Sequence, residues 1–416
     1  MGAIYREGRL YALVIGILAA DTSLASNPVF QDFFFDACVN PVGDLATRCG
    51  ETPGGTGDLS GNSESSLNPS QTLSSNMTPL ENARYKISRA SDRIAELNGD
   101  SEASSTAAQS RVDIGPFSLM LNGGKTWIDR DRDITDAERG YDGDIWAAEL
   151  GMDYRVSDRT VVGGFLGYET TDYEFDKDES GVNFTPQSNS GENESDSYSI
   201  TLFGSHYLDK KLAIEGSAGY STTDYKFQRN VVFQESTRTT PQTNVRTEGK
   251  PDGDEYWFSL GASYDFEREE LSYTPYIRAT YIKSDIDSYT EKDLNGSGLQ
   301  MRIDGDDRTS VTTTAGIRAS YAVSMDWGVL LPQVHAEYEH EFDQDAQQST
   351  TSYVLDADKN KFSLEGDDPE RNYFNLGAGV VAIMPNGWSA FLNYTGLVGY
   401  DDLKRHQLTA GLRMEF

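Results

Sequence analysis

Apolar and polar residues alternate one for one along much of the chain. Within 143–156, Trp146, Ala148, Leu150, Met152, Tyr154 and Val156 alternate with Glu149, Asp153 and Arg155. Within 253–267, Tyr256, Phe258, Leu260, Ala262, Tyr264 and Phe266 oppose Ser259, Ser263 and Asp265. The last segment, Lys404 to Phe416, sets His406, Leu408, Ala410, Leu412, Met414 and Phe416 against Gln407, Thr409, Gly411, Arg413 and Glu415. Successive side chains of a strand point to opposite faces, so each segment carries one apolar and one polar face. Followed from Arg111 onward, the pattern predicts twelve strands, at 113–128, 143–156, 159–175, 195–208, 211–229, 253–267, 271–287, 308–323, 327–342, 372–385, 387–400 and 404–416. In the third, glycine occupies both faces and the pattern does not say which side is which.

The connections alternate as well. Those after even-numbered strands are tight (Ser157-Asp158, Asp209-Lys210, Arg268 to Glu270, Ser324 to Asp326, Asn386), and those after odd-numbered strands are long: 129–142, 176–194, 230–252, 288–307 and 343–371. Only Asp401 to Leu403 departs from the rule. A soluble sandwich has no reason to sort connections by parity, whereas a membrane barrel has short turns at one end and long loops at the other. An even number of antiparallel strands also closes without a free edge, as a bilayer demands. The expected fold is all-β, a 12-stranded antiparallel transmembrane β-barrel over 111–416.

Residues 80–98 carry the other periodicity. Leu80, Ile87 and Ile94 recur every seven residues, flanked by Ala83, Ala90 and Leu97. Thr78 is placed as N-cap, Pro79 at the first turn and Glu81 as capping-box partner, with Asn98-Gly99 as the stop. Arg84, Lys86, Arg89 and Arg93 make this helix basic in an acidic chain. The inward faces of the strands offer Glu149, Asp153, Glu215, Asp265, Glu337 and Glu339, along with the cations Arg278 and Arg318. Opposite charges attract strongly in a confined lumen, so the helix is expected inside the barrel, with 100–110 as a tether. Ahead of it, 26–79 is rich in Gly, Ser and Asn and reads as mostly disordered, apart from the apolar run Phe30 to Ala37. Cys38 and Cys49, the two cysteines of the chain, are expected to pair in an oxidising compartment. Residues 1–25 read as a signal peptide, with Arg6 and Arg9, an apolar run Leu10 to Ala20, and Ser23-Leu24-Ala25 before a cut after Ala25.

Composition narrows the choice further. The chain has 416 residues, 37% hydrophobic, with mean hydropathy −0.56 and no apolar run long enough for a membrane helix. Its 23 Tyr, 18 Phe and 5 Trp suit aromatic girdles at two water interfaces. A net charge of −32 argues against nucleic acid as a partner. His206, His340 and His406 fall on outward faces. His335 points inward beside Gln333 and Glu337, without a serine to serve. Asp356, Asp358 and Asn360 have calcium-loop spacing, but Lys361 and Asp367 stand where that loop needs glycine and glutamate. No metal, cofactor or catalytic group is expected.

Three stretches carry a family likeness: Leu331-Pro332-Gln333-Val334-His335-Ala336-Glu337-Tyr338, Asn393-Tyr394-Thr395-Gly396, and Leu408 to Phe416. Together with the helix and the strand count, 80–416 resembles the translocator domain of classical (type V) autotransporters. The resemblance implies a monomeric barrel in the outer membrane of a Gram-negative bacterium, surrounded by lipid and lipopolysaccharide. It implies delivery by periplasmic chaperones and insertion by the barrel assembly machinery, with Leu408, Leu412, Met414 and Phe416 as the assembly signal. It also implies that the segment ahead of the helix passes through the pore to the surface. Passengers of this family usually run to hundreds of residues, whereas 26–79 is short. The Asn-Asn junction used for self-cleavage in one subset is absent near the helix, so the segment is expected to stay attached. A porin with an open lumen is the alternative, and the two differ on whether 80–98 fills the hole.

Overall fold

The computed structural model of the chain describes residues 28–75, 78–102, 116–131, 138–181, 183–235, 242–343, 346–368 and 370–416. The signal-peptide reading, most of the tether, and the side chains of Thr78, Pro79, Glu81, Leu97 and Asn98 lie outside what is described.

Twelve long antiparallel strands form the wall: β1 (Phe117–Arg130), β2 (Tyr141–Ser157), β3 (Thr160–Phe175), β4 (Gly191–Tyr207), β5 (Leu212–Phe233), β6 (Asp252–Tyr264), β7 (Leu271–Ile286), β8 (Asp306–Tyr321), β9 (Gly328–Glu341), β10 (Asn372–Ile383), β11 (Trp388–Val398) and β12 (Leu403–Glu415). Each pairs with its neighbour in sequence, and β12 pairs back onto β1 from Ser118↔Glu415 to Arg130↔Leu403. The seam is locked at its end, where the Phe416 amide donates to the Phe117 carbonyl at 3.0 Å and the two rings stack with centroids 6.5 Å apart. The sheet therefore has no open edge to satisfy in lipid.

Connections 158–159, 208–211, 265–270, 322–327 and 384–387 mark one end. Connections 131–140, 176–190, 234–251, 287–305 and 342–371 mark the other, where the short exception 399–402 also lies. The long loops are more ordered than loop composition suggests. Thr243–Gly249 continues the hairpin from β5, and Tyr289–Thr290, Met301–Ile303, Gln348–Tyr353 and Phe362–Glu365 form a separate four-stranded sheet across two loops.

The N-terminal segment corrects the expectation of disorder. It folds as α1 (Pro28–Ala37), α2 (Asp44–Glu51), a 3₁₀ turn (Pro53–Gly55), α3 (Gly61–Leu67) and α4 (Gln71–Ser75). Alone, this stretch lacks the apolar surface to offset its chain entropy. It obtains a core from the loops: Phe30, Phe33, Phe34, Leu45, Leu67 and Leu73 pack with Val231, Phe233, Val245, Leu299, Met301, Tyr353 and Phe362. Phe33 stacks on Tyr353 and Phe362 at centroid distances of 5.3 and 5.4 Å. Phe35, next in the aromatic run, faces out. Cys38 and Cys49 are bonded across an 11-residue separation, tying α1 to α2. The result is a helical cap seated on the long-loop mouth.

The basic helix α5 (Thr78–Glu102) follows and runs three residues beyond the expected Asn98-Gly99 stop. An interior glycine costs a helix only about 1 kcal/mol relative to alanine, so it does not force an end.

Candidate functional site

The chain descends from the cap into the lumen, and the order of α5's contacts records the direction. Leu80, Ala83 and Ile87 pack on Trp257 and Ile282 in the upper half, and Ala90 and Ile94 pack on Met120, Phe165 and Phe203 nearer the short-turn end. The seven-residue apolar stripe therefore faces the wall. It also resolves β3: Val162, Leu166 and Tyr168 point out, while Phe165 points in against the small Ala90. On another face the Tyr85 ring lies over Gly124, where an added Cβ would stand 2.6 Å from its hydroxyl.

The helix's cations find acids at successive heights. Arg84 pairs with Glu341 at 3.2 Å, Lys86 with Glu169 at 2.9 Å and Glu255 at 3.2 Å, Arg89 with Glu149 at 3.5 Å, and Arg93 with Asp153 at 2.6 Å. Lys86, Arg89, Arg93 and their wall partners are all buried. An unpaired charge in such a place costs several kcal/mol, so each partner fixes the other. Glu149 and Asp153 thus meet the helix, whereas the other expected acids have described partners on the wall. Glu215 accepts from Ser263, and Asp265 lies at the short-turn rim accepting from Tyr207 and Thr274 at 2.7 Å each. Glu337 is held by the Tyr276 hydroxyl and Arg278, and Glu339 by Tyr373 at 2.8 Å and Asn375 at 3.2 Å. Arg278 itself donates to Ser91 of the helix at 2.7 Å, and Arg318 lies over the Tyr276 ring at 4.1 Å. Glu169 and Glu255 are the partners that sequence reasoning missed, while Glu341 lies on the polar face that the alternation of its strand already marks. Glu255 shares parity with the inward residues of its strand, a signal available in the sequence.

The outward face carries a continuous apolar band. Leu121, Leu150, Leu166, Leu202, Phe258, Ile277, Val334 and Leu392 are exposed, as are Leu408, Leu412, Met414 and Phe416. Aromatic pairs bound this band at both ends: Tyr168–Tyr198 and Tyr220–Tyr256 toward the long loops, Tyr264–Phe266 and Phe266–Tyr273 toward the short turns. Trp146 to Tyr154, Tyr256 to Tyr264 and Tyr273 to Tyr281 are each eight residues. That is about 26 Å along a strand at ~3.3 Å per residue, or about 20 Å along the axis at a tilt of about 40°. Just beyond the band, Tyr168 and Tyr220 donate to Asp196 and Asp254 at 2.6 Å, marking the return to water. His206, His340 and His406 lie on this outer face, hydrogen-bonded to Thr160, Asn372 and Tyr394.

Inside, His335 stands 3.4 Å from Thr395. The calcium-like spacing resolves as a turn: Asp356 accepts from the amides of Asp358 and Asn360 at 2.9 and 2.8 Å and from the Asn360 side chain at 3.0 Å. Its oxygens are thereby occupied by donors. Asp293 closes another loop in the same way, accepting from the Asn295, Gly296 and Gly298 amides. Burial pushes the Asp293 carboxyl up, but those backbone donors outweigh it and hold the group below the usual carboxylate range.

The comparisons with known proteins agree with this geometry. A family model described as the autotransporter beta-domain matches residues 119–395. The esterase EstA of Pseudomonas aeruginosa is 23% identical over 273 residues, covering 56% of this chain and 41% of its own length. Outer membrane protein B of Rickettsia conorii is 23% identical over 239 residues, covering 57% of this chain and 14% of its own length. The chain thus spans less than half the length of these curated relatives. Among solved structures, the translocator domain of autotransporter NalP from Neisseria meningitidis superposes with a TM-score of 0.57 at 13% identity, covering 83% of this chain and all of that one. A closed twelve-stranded barrel, an apolar outer band and a family match that runs from β1 into β11 place this chain in the outer membrane of a Gram-negative bacterium, as a member of the autotransporter family with a translocator β-barrel.

Proposed function

We propose that this translocator displays its own N-terminal segment, and that the segment stays attached as a folded cap on the outer mouth. The observation that carries this reading is the shared core: Phe33 and Phe34 of α1 are buried among Tyr353 and Phe362 of the loops and Phe233 at the end of β5. A segment whose core is half supplied by the barrel's loops is retained by burial once it arrives. Burying a side chain such as phenylalanine contributes about 1.5–3 kcal/mol, and six large side chains of the segment, Phe30, Phe33, Phe34, Leu45, Leu67 and Leu73, enter this core. The disulfide and the hydrogen bonds from Ser60 and Ser63 to the Gln234 carbonyl, at 3.0 and 2.7 Å, add to the hold.

The reading is one of secretion and display without a catalytic step. The lumenal ionisable groups hold the helix and one another, and His335 has a threonine beside it rather than an activated nucleophile. The activity in the name of the esterase EstA belongs to that protein. We further propose delivery by periplasmic chaperones and insertion by the barrel assembly machinery, read from a terminal strand whose Leu408, Leu412, Met414 and Phe416 face lipid.

The test is a short epitope inserted in the exposed turn Pro53–Gly55, where Gly54 and Gly55 have φ of 69° and 68°. Antibody staining of intact cells, with the tag still joined to the barrel on denaturing gels, is the expected result. Staining only after permeabilisation, or a barrel lacking the tag, would contradict it.

A further inference from the structure

A buried helix ordinarily turns an apolar stripe inward. In the cap, α3 (Gly61–Leu67) has Leu67 as its one large apolar side chain, yet Ser63, Glu64 and Ser66 are buried with it. What α3 covers explains this. β5 pairs with β4 as far as Gly191↔Arg229, and on its other side it continues with Thr243–Gly249 as far as Phe233↔Thr243. Beyond Arg229 it has, among the described residues, a strand on one side alone. The amides and carbonyls of alternate residues there point away from the sheet.

These edge groups are met in order. The Asn230 amide donates to the Ser190 carbonyl at 3.0 Å. The Val232 amide donates to Ser66 Oγ at 2.8 Å, and the Ser66 hydroxyl donates in turn to Asp178 at 2.5 Å. The Gln234 amide donates to Ser63 Oγ at 2.8 Å, while the Gln234 carbonyl accepts from the hydroxyls of Ser63 and Ser60 at 2.7 and 3.0 Å. Ser60, the N-cap of α3, also donates its own amide to the Glu235 carboxylate at 3.1 Å. Three serines spaced by three thus stand in for the missing strand.

A row of open strand-edge groups is a template for a further strand, and proteins cover such rows. The edge Asn230-Val231-Val232-Phe233-Gln234-Glu235 has two β-branched residues, an aromatic, one charge, and neither proline nor glycine. Such a segment pairs readily. Its cover is held by hydrogen bonds that water replaces at small net cost. α1, by contrast, is held by buried phenylalanines, so α3 is the part of the cap that lifts while α1 stays seated. The edge is also self-complementary. Antiparallel pairing of two copies about Phe233 sets Val232 of each opposite Gln234 of the other, and each such pair exchanges two N–H···O bonds.

We propose that α3 is a releasable cover over a self-pairing strand edge, and that lifting it lets Val232 to Gln234 pair with the same residues of a second copy of this chain. Covered, the protein is a monomer; uncovered, it dimerises through its mouth. The proposal rests on the cap being seated on the loops and not on its display, so a test in micelles stays readable if display fails.

The experiment uses the full chain, folded in detergent micelles, with folding checked by heat-modifiable mobility and oligomeric state measured by sedimentation equilibrium with the detergent density-matched. Ser63→Glu with Ser66→Glu sets two larger anions beside Glu235 and Asp178 and drives α3 off the edge. We expect a monomer for the native chain and a concentration-dependent dimer for the double variant. Adding Val232→Pro should return the monomer, because proline removes an edge amide without touching the ladder to Thr243–Gly249. A native chain that already dimerises, a double variant that stays monomeric, or a dimer that survives Val232→Pro would each overturn the proposal. If one of these variants does not fold, Ser66→Glu alone or Gln234→Pro takes its place on the same terms.

Discussion

The barrel wall and the cap bury their apolar residues in opposite directions. The wall turns Leu150, Phe258, Leu412 and their kind outward to lipid and keeps Glu149, Asp153 and Ser259 inside. The cap turns Phe30, Phe34 and Leu45 inward and leaves polar groups to water, as a soluble domain does. The wall's order is repetitive: every strand pairs with its two neighbours, and one lipid-facing position resembles the next. The cap's order is not. Its core draws on α1 to α4, the end of β5 and three loops, so each piece depends on the others being in place. A change in the cap should therefore act on the cap alone, while a change in the wall should act on insertion of the whole.

The largest effect that separates the two is expected from Phe34→Ala. Phe34 is fully buried, and loss of a buried phenylalanine costs about 3–5 kcal/mol. Residues 28–75 should become sensitive to protease while the heat-modifiable mobility of the barrel is unchanged; loss of both together would mean that cap and wall fold as one unit. Next, Leu412→Arg places a charge in the lipid-facing band at a cost of about 2–4 kcal/mol. Pulse-chase fractionation should show less inserted barrel, with Phe416 deletion acting in the same direction. Normal insertion in both would remove the proposed role of the terminal strand. Third, Cys38→Ser with Cys49→Ser opens a loop of 11-residue separation, worth about 2–3 kcal/mol to the cap. Limited proteolysis, with and without reductant, reads the difference, and an equally resistant double variant would show that the loops alone hold the cap.

The smallest expected effect is a pH dependence at the mouth. Burial pushes the Glu138 carboxyl up, and Arg130 at 3.2 Å offsets this in part. A folded pKa above the unfolded value means that the protonated form favours folding. That contribution is fully present below the unfolded pKa near 4.5 and is lost as pH rises through the raised folded value. Protease resistance of the loop around Glu138 should thus decline over that interval, and Glu138→Gln should flatten the decline. An identical profile in the variant would assign the pH dependence elsewhere.

The same contrast explains what could be read in advance. The wall was legible because a period of two is a local signal, repeated in each strand and reinforced by the parity of the turns. The helix was legible because its apolar spacing and its Arg84, Lys86, Arg89, Arg93 row are local too. Its partners were legible only in part: Glu149 and Asp153 lie inside clean alternation, whereas Glu169 sits in the strand where glycine occupies both faces. The cap was not legible. Residues 26–79 hold few apolar side chains of their own, while half of the core comes from residues such as Val231, Tyr353 and Phe362, which no local window brings together.

In the intact protein α5 occupies the lumen and the cap covers its mouth. Single-channel conductance in planar bilayers tests it most directly, on the full chain and on variants lacking 28–75 or 28–102. We predict a small conductance for the full chain, little change without the cap alone, and a large rise once the helix is also removed. A large conductance from the full chain that is unchanged by removing 28–102 would contradict the account and identify the barrel as an open pore.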